Sequence, residues 1–277
     1  MFPLNTGVSR HRRLPITTLE DCLGDMIVQI SGFLILIAIT LAAAFLQGLS
    51  SFGFPLIAVP LFTMILPIQI AVPVITLLCL VSNLPMLSEI THTSVVRKEA
   101  LCMVISSLVT IPLGVLCLRH LATGYLKIMI GGASLVCALL LAKGLRLHIR
   151  NRIAICTILG LVSGFLVGLA NVAGPVLIIL FNNLQLEKKV FRGLMVLMFA
   201  SMGVVNVAIS ALNGLITSEV LLIALVLTPI PFIGTWIGAR VSKKVNENLF
   251  RTLTLILLIL TSLSILIGGV IDLGPKS

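Results

Sequence analysis

Gly48-Leu49-Ser50-Ser51-Phe52-Gly53-Phe54-Pro55 interrupts a long apolar stretch, and Gly168-Leu169-Ala170-Asn171-Val172-Ala173-Gly174-Pro175 interrupts another in the same way at an offset of 120 residues. The likeness begins upstream, where Phe45-Leu46 lies over Phe165-Leu166, so that Phe, Leu, Gly, Leu and Pro recur at one spacing. Further along, an offset of 124 places Gly114, Arg119, His120 and Lys127 over Gly238, Lys243, Lys244 and Arg251. The chain therefore reads as two copies of one unit. Each copy carries a Gly/Pro break after its first apolar run.

Composition says what kind of unit this is. Of 277 residues, 58% are hydrophobic and 10% charged, against about 25% charged in an ordinary water-soluble domain. The apolar residues come in runs such as Ile30 to Leu46, Ile128 to Ala142 and Leu253 to Ile267, without the period-2 alternation of outer-membrane barrel strands. The fold expected is an all-α integral membrane protein of about ten transmembrane segments, at about 20 residues each. The segments read as 27–47, 54–66, 70–90, 101–118, 125–142, 153–171, 174–184, 192–212, 219–239 and 250–271. Residues 1–26 form a polar tail, 27–142 a first membrane repeat, 143–152 a basic cytoplasmic linker, 153–271 a second repeat and 272–277 a C-terminal tail. Ala42-Ala43-Ala44 resembles a cleavage site, but the preceding run exceeds a signal-peptide core of about 7 to 15 residues, so the first segment is read as a permanent span. The second and seventh segments, too short to cross about 30 Å as straight helices, hold corresponding places in the two copies.

Five segments per copy is an odd number, which requires the second copy to enter the membrane inverted. Loop charge agrees. With the N-terminus outside, the cytoplasmic loops hold Arg97 and Lys98; Lys143, Arg146, Arg150 and Arg152; Lys188, Lys189 and Arg192; and Arg240, Lys243, Lys244 and Arg251, which leaves six of the 19 basic residues outside. The positive-inside rule then puts both termini outside. Three of those six, Arg10, Arg12 and Arg13, lie in the N-terminal tail and run against the trend. The net charge of +10 is thus dispersed over short loops in a chain with one Tyr and one Trp, unlike a nucleic-acid footprint of clustered basic and aromatic residues. No nucleic-acid partner is expected. The cysteines form no CxxC pair and sit largely in apolar runs, as small hydrophobes do.

Short, Gly/Pro-interrupted segments at matching places in inverted repeats point to a transport site. A helix start leaves free N–H groups and a partial positive charge, which suits an anion without a buried Lys or Arg. The candidate substrate-binding residues are Gly48, Ser50, Ser51, Gly53, Asn171 and Gly174 at the breaks, with Asn83 and Asn206 behind them in the third and eighth segments. The glycines also suit close helix packing, and the two asparagines also suit bonds between helices. Glu89 and His92, near the cytoplasmic end of the third segment, are candidates for a proton relay or for a solvated helix end. Asn182, Asn183 and Arg192 border the seventh segment and read as an entrance or as headgroup contacts. No GxxxxGK[ST], HExxH or GxSxG motif is present, and no carboxylate pair lies within a span. An enzyme is not expected, and neither a metal site nor a cofactor.

The stretches GLSSFGFPLIAVP at 48–60 and GLANVAGPVLIILF at 168–181, in this two-copy layout, resemble the sulfite exporter TauE/SafE family of bacterial membrane permeases over about residues 30–270. Family members commonly carry a richer glycine run before the proline; here Ser50, Ser51 and Phe52, and Asn171, Val172 and Ala173, replace part of it. The resemblance implies a permease of the bacterial inner membrane, with a small sulfur-containing anion (sulfite, sulfoacetate, a sulfonate) or an organic carboxylate as substrate and a proton or sodium gradient for coupling. Two other classes remain open from the residues alone: a cation or metal permease, and a membrane assembly or receptor protein without transport.

Overall fold

A computed structural model describes residues 19–87, 97–142, 152–174, 176–178, 188–242 and 247–273. Every regular element among them is helical: α1 (Leu19–Ser50), α2 (Phe54–Phe62), α3 (Ile68–Asn83), α4 (Arg97–His120), α5 (Thr123–Ala142), α6 (Arg152–Ala170), α7 (Lys188–Leu212), α8 (Ser218–Leu227), α9 (Pro229–Val241) and α10 (Glu247–Leu273). Gly174 and residues 176–178 are helical as well, so the chain turns helical again after the second break. The chain divides into two compact units, Met1–Leu36 and Ile37–Ser277. Of the first, the structure describes the N-terminal part of α1; all contacts below belong to the second.

Helix is the form apolar segments must take in lipid, because it satisfies every main-chain polar group internally. Among the described residues five helical stretches are long and apolar enough to cross a membrane: Ser31–Ser50, Ile68–Leu87, Lys98–His120, Ile153–Ala170 and Val190–Leu212. A sixth arises if α8 and α9 count as one bent span. Their outward faces carry large apolar side chains, Leu222, Leu225 and Ile233 among them, as lipid contact demands.

The ninth segment, read over 219–239, is bent. α8 and α9 meet at an angle of 43°. Pro229 and Pro231 supply no N–H and their rings crowd the preceding turn, while the Thr228 hydroxyl donates to Ala224 O at 2.7 Å, a back-bond that bends helices. α1 runs on to Ser50 and so carries Gly48 inside the helix. α7 ends where Gly214, at φ 72°, allows Leu215 N–H to reach back to Ser210 O at 2.9 Å.

Small residues set the closest crossings. α6 lies along α4 through Gly160, Gly164 and Gly168, at each of which a Cβ would strike α4 main chain or a hydroxyl. α1 lies against α9 in the same manner, with Gly48 facing Gly238 and Gly234 facing Ala44. A third small-residue contact joins α5 to α10 through Gly124, Gly131 and Gly269. In lipid, with no hydrophobic drive between spans, such backbone approach is a main source of helix association. Thr110 Oγ1 adds a bond to Leu161 O across α4 and α6, and Thr235 Oγ1 one to Ala44 O across α9 and α1. α3 packs on α2, α7, α8 and α9, and α7 also on α4 and α6. Phe54, Phe62, Ile75 and Leu78 of α2 and α3 are fully buried.

Candidate functional site

Both breaks have one geometry. α1 closes with Ser51 N–H on Gln47 O at 2.6 Å, and α6 with Asn171 N–H on Val167 O at 2.8 Å. Ser51 at φ 71° and Asn171 at φ 59° are the two non-glycine residues in the left-handed region among the described residues, and they are the pair matched by the 120-residue offset. Asn tolerates that conformation through its short polar side chain; Ser bears a cost of about 1–2 kcal/mol. Strain of this kind persists only where surrounding packing enforces it, and both residues are buried.

The two breaks also meet. A Cβ on Gly174 would lie 2.9 Å from Phe52 Cδ2 and 3.2 Å from Phe52 Cβ, so the second break seats against the aromatic residue of the first. Gly53 is similarly close to Ser50 Oγ and Leu46. Gly48 and Gly168 sit elsewhere: they lie within their helices at the crossings with α9 and α4, as close-packing residues rather than at the points where the helices stop.

One stripe of α3 serves both breaks. Thr76, Cys79 and Asn83, all buried, lie three and four residues apart on one helix face. Asn83 Oδ1 accepts from Gln47 Nε2 at 3.1 Å, just before the first break. The Cys79 thiol lies beside the Asn171 side chain, in the second. Thr76 Oγ1 accepts from Asn206 Nδ2 at 3.5 Å, and the same nitrogen donates to Val167 O at 2.9 Å. Asn83 and Asn206 thus brace corresponding points, Gln47 by its side chain and Val167 by its main chain.

At the start of α2, Gly53 has no side chain with which to cap the helix. Gln47 does so from seven residues back, its Oε1 accepting from Phe54 N–H at 3.1 Å. Pro55 has no N–H, so fewer donors face outward here than at an ordinary helix start. Ser50 Oγ donates to Leu46 O at 2.7 Å and accepts from Phe52 N–H at 3.4 Å. Ser51 Oγ is fully buried and, among the described residues, has no hydrogen-bond partner. An orphaned hydroxyl of this kind costs about 1–3 kcal/mol.

Arg192 bonds directly to the carbonyl end of α1 at the first break. Its Nη2 donates to Gly48 O at 3.1 Å, and its Nη1 to Leu49 O at 3.0 Å and to Ser242 Oγ at 3.1 Å. The guanidinium is buried and closes the carbonyl end of α1, joining it to α7 and to the end of α9. This is an interior role, not the entrance or headgroup contact that its loop position suggested. Glu89, His92, Asn182 and Asn183 lie outside the described residues.

Sequence reading missed Gln47, Thr76 and Cys79. Gln47 had a visible signal: it is the polar residue standing over apolar Val167 where the two copies otherwise agree. Cys79 and Thr76 had none, since a buried thiol or hydroxyl in a span is ordinary composition. The assembled cluster offers hydroxyl, amide and main-chain groups without a net charge apart from Arg192. No group of three His, Cys, Asp or Glu side chains comes together among the described residues.

No curated protein and no solved structure matches the chain. The profile of the sulfite exporter TauE/SafE family does, over residues 36–265, a stretch that holds both breaks, the α3 stripe and every glycine crossing between α1, α4, α6 and α9. With that match added to the apolar spans and the paired breaks, this multi-pass membrane protein belongs to the sulfite exporter TauE/SafE family of membrane permeases.

Proposed function

We propose that the chain is a secondary transporter of a small anion, sulfur-containing (sulfite, sulfoacetate or a sulfonate) or an organic carboxylate, held between the two Gly/Pro breaks and released by alternating access. The observation that carries the reading is Ser51: a strained, fully buried residue whose hydroxyl lacks a partner among the described residues, in a break that abuts its counterpart through Phe52 and Gly174. A left-handed Ser with an unmet hydroxyl costs stability twice over, and a ligand oxygen accepting that proton would offset part of it. Ser50, Ser51, Gly53, Asn171 and Gly174 form the contact shell, Asn83 and Asn206 brace it, and Gly48 sets its position from the crossing with α9.

Two inverted five-segment repeats account for the recurring contacts. Gly48 on Gly238 and Gly168 on Gly114 both join the first helix of one copy to the fourth segment of the other; α3 on α9 and α7 on α4 repeat the exchange. A pseudo-twofold in the membrane plane generates such swapped pairs, and rocking of the repeats about a fixed site is its usual use. Loop charge supports termini outside, and the resemblance to bacterial permeases supports an inner-membrane location. Coupling to a proton or sodium gradient completes the cycle, with Glu89 and His92 as proton-relay candidates.

The test is flux in proteoliposomes loaded separately with sulfite, sulfoacetate, a carboxylate and chloride under an imposed pH gradient. Anion flux is expected in wild type and its loss in Ser51→Leu and Asn171→Leu. Absence of flux for every anion in folded protein refutes the transport reading. Undiminished flux in both variants refutes the site. A cysteine introduced near Arg150 should react with impermeant reagents from the cytoplasmic side alone; external labelling overturns the orientation.

A further inference from the structure

The two buried amides beside the first break have their polarity dictated by a chain of bonds. Asn83 Nδ2 donates to Cys79 O at 3.0 Å. That leaves Asn83 Oδ1 as the acceptor facing Gln47, and Gln47 Nε2 fills it at 3.1 Å. Gln47 Oε1 must then point the other way, onto Phe54 N–H at 3.1 Å. A carboxamide has one acceptor end and one donor end, and turning Gln47 over would set its oxygen against the oxygen of Asn83. The first turn of α2 is therefore closed by an acceptor that cannot invert without breaking the chain. Beside it in sequence stands the Ser51 hydroxyl, fully buried and without a partner among the described residues.

We propose that Gln47 Oε1 holds the place of one oxygen of the transported anion, and that the anion must displace it from Phe54 N–H to bind. Gln47 is then a positioning residue that sets affinity by competing with the substrate. An incoming oxyanion accepts hydrogen bonds from the Phe54 N–H and the Ser51 hydroxyl together, and the Gln47 side chain swings aside with its bond to Asn83 intact. The competitor keeps the helix start satisfied when the site is empty. Val167, the counterpart of Gln47, has no side-chain acceptor, so the second break lacks this device. The inference rests on the anion-transport reading above.

Gln47→Met replaces the carboxamide by an unbranched apolar chain of similar length, which fills irregular space well. Removing a neutral competitor worth one net hydrogen bond should lower KM for sulfite by about two- to tenfold with kcat little changed. Gln47→Glu puts a charged acceptor at the helix start, where the dipole favours it, and should raise KM by more than about tenfold. A residue that merely caps α2 would lower thermal stability on substitution and leave KM at or above wild type. A KM in Gln47→Met equal to or above wild type therefore overturns the inference. Should either variant fail to fold, 15N-phenylalanine labelling of wild type gives a second reading, with the Phe54 resonance assigned through Phe54→Leu. The Phe54 amide signal should shift on saturation with sulfite, and an unmoved signal in protein that binds sulfite overturns the inference while leaving anion transport standing. No saturable binding of sulfite, sulfoacetate or an organic carboxylate by wild type overturns both.

Discussion

The α4/α6 crossing allows a quantitative test. A Cβ on Gly168 would overlap Ile111 O and lie 3.0 Å from both Gly114 Cα and Val115 N. All three are main-chain atoms, so no side chain can swing away. Relief requires the helices to part by about 1 Å, and a gap of that size forfeits a quarter to a half of each dispersion contact. The loss extends along the crossing, where Gly164 lies against Ser107 and Thr110. The 2.6 Å bond from Thr110 Oγ1 to Leu161 O lengthens with it. We expect Gly168→Ala to cost about 2–3 kcal/mol, read as a shift in the denaturation midpoint by loss of helical circular dichroism in mixed micelles. Gly114→Ala should cost a similar amount, and the double variant distinctly less than the sum, because one displacement accommodates both methyl groups. Gly48→Ala, which places a methyl 2.6 Å from Ala239 N and 2.8 Å from Gly238 Cα, should match Gly168→Ala. A Gly168→Ala protein within about 0.5 kcal/mol of wild type would refute the packing argument.

Other substitutions have separate outcomes. Arg192→Met removes charged donors from Gly48 O, Leu49 O and Ser242 Oγ; it should lower stability by about 2–4 kcal/mol, and Arg192→Lys should recover less than half, since an ammonium lacks the fork that spans two carbonyls. Ser51→Gly relieves left-handed strain and removes the orphaned hydroxyl, so it should raise stability by about 1 kcal/mol while abolishing or sharply reducing anion flux. Lys127→Ala breaks a 2.8 Å ion pair with Asp272 whose side chains are 18% and 38% exposed; the expected change is below about 1 kcal/mol and smaller still at high salt.

The breaks were legible because repetition marks them. An offset of 120 residues picked out Ser51 and Asn171 together, and both are left-handed. The role of Gly48 and Gly168 was half legible: the second offset tied Gly114 to Gly238, but which glycine meets which depends on helices packed across copies, and no local signal encodes that. Pro229 and Pro231 stood in plain view inside the ninth segment, yet prolines also lie within α2, α3 and α4, so a proline alone does not announce a 43° bend. Arg192 was misplaced because its neighbours Lys188 and Lys189 made it look like loop charge. Gln47 stood out as a polar exception over Val167, but its role was opaque for a different reason. Its work is done on Phe54 and Asn83, and a side chain's partners seven and 36 residues away follow from the fold rather than from the residue.

The glycine crossings are alike in geometry but not in the time they take to form. Thr110 and Leu161 are 51 residues apart, whereas Ala44 and Thr235 are 191 apart. At about 5–20 residues per second, the second partner of α1 follows some 10–40 s after the first is synthesised. Through that interval the grooved face of α1, built for a backbone to lie in, has lipid or an insertion factor against it. Equivalent mutations at Gly48 and Gly168 can thus cost the finished protein the same amount and still differ in how much of it the cell recovers.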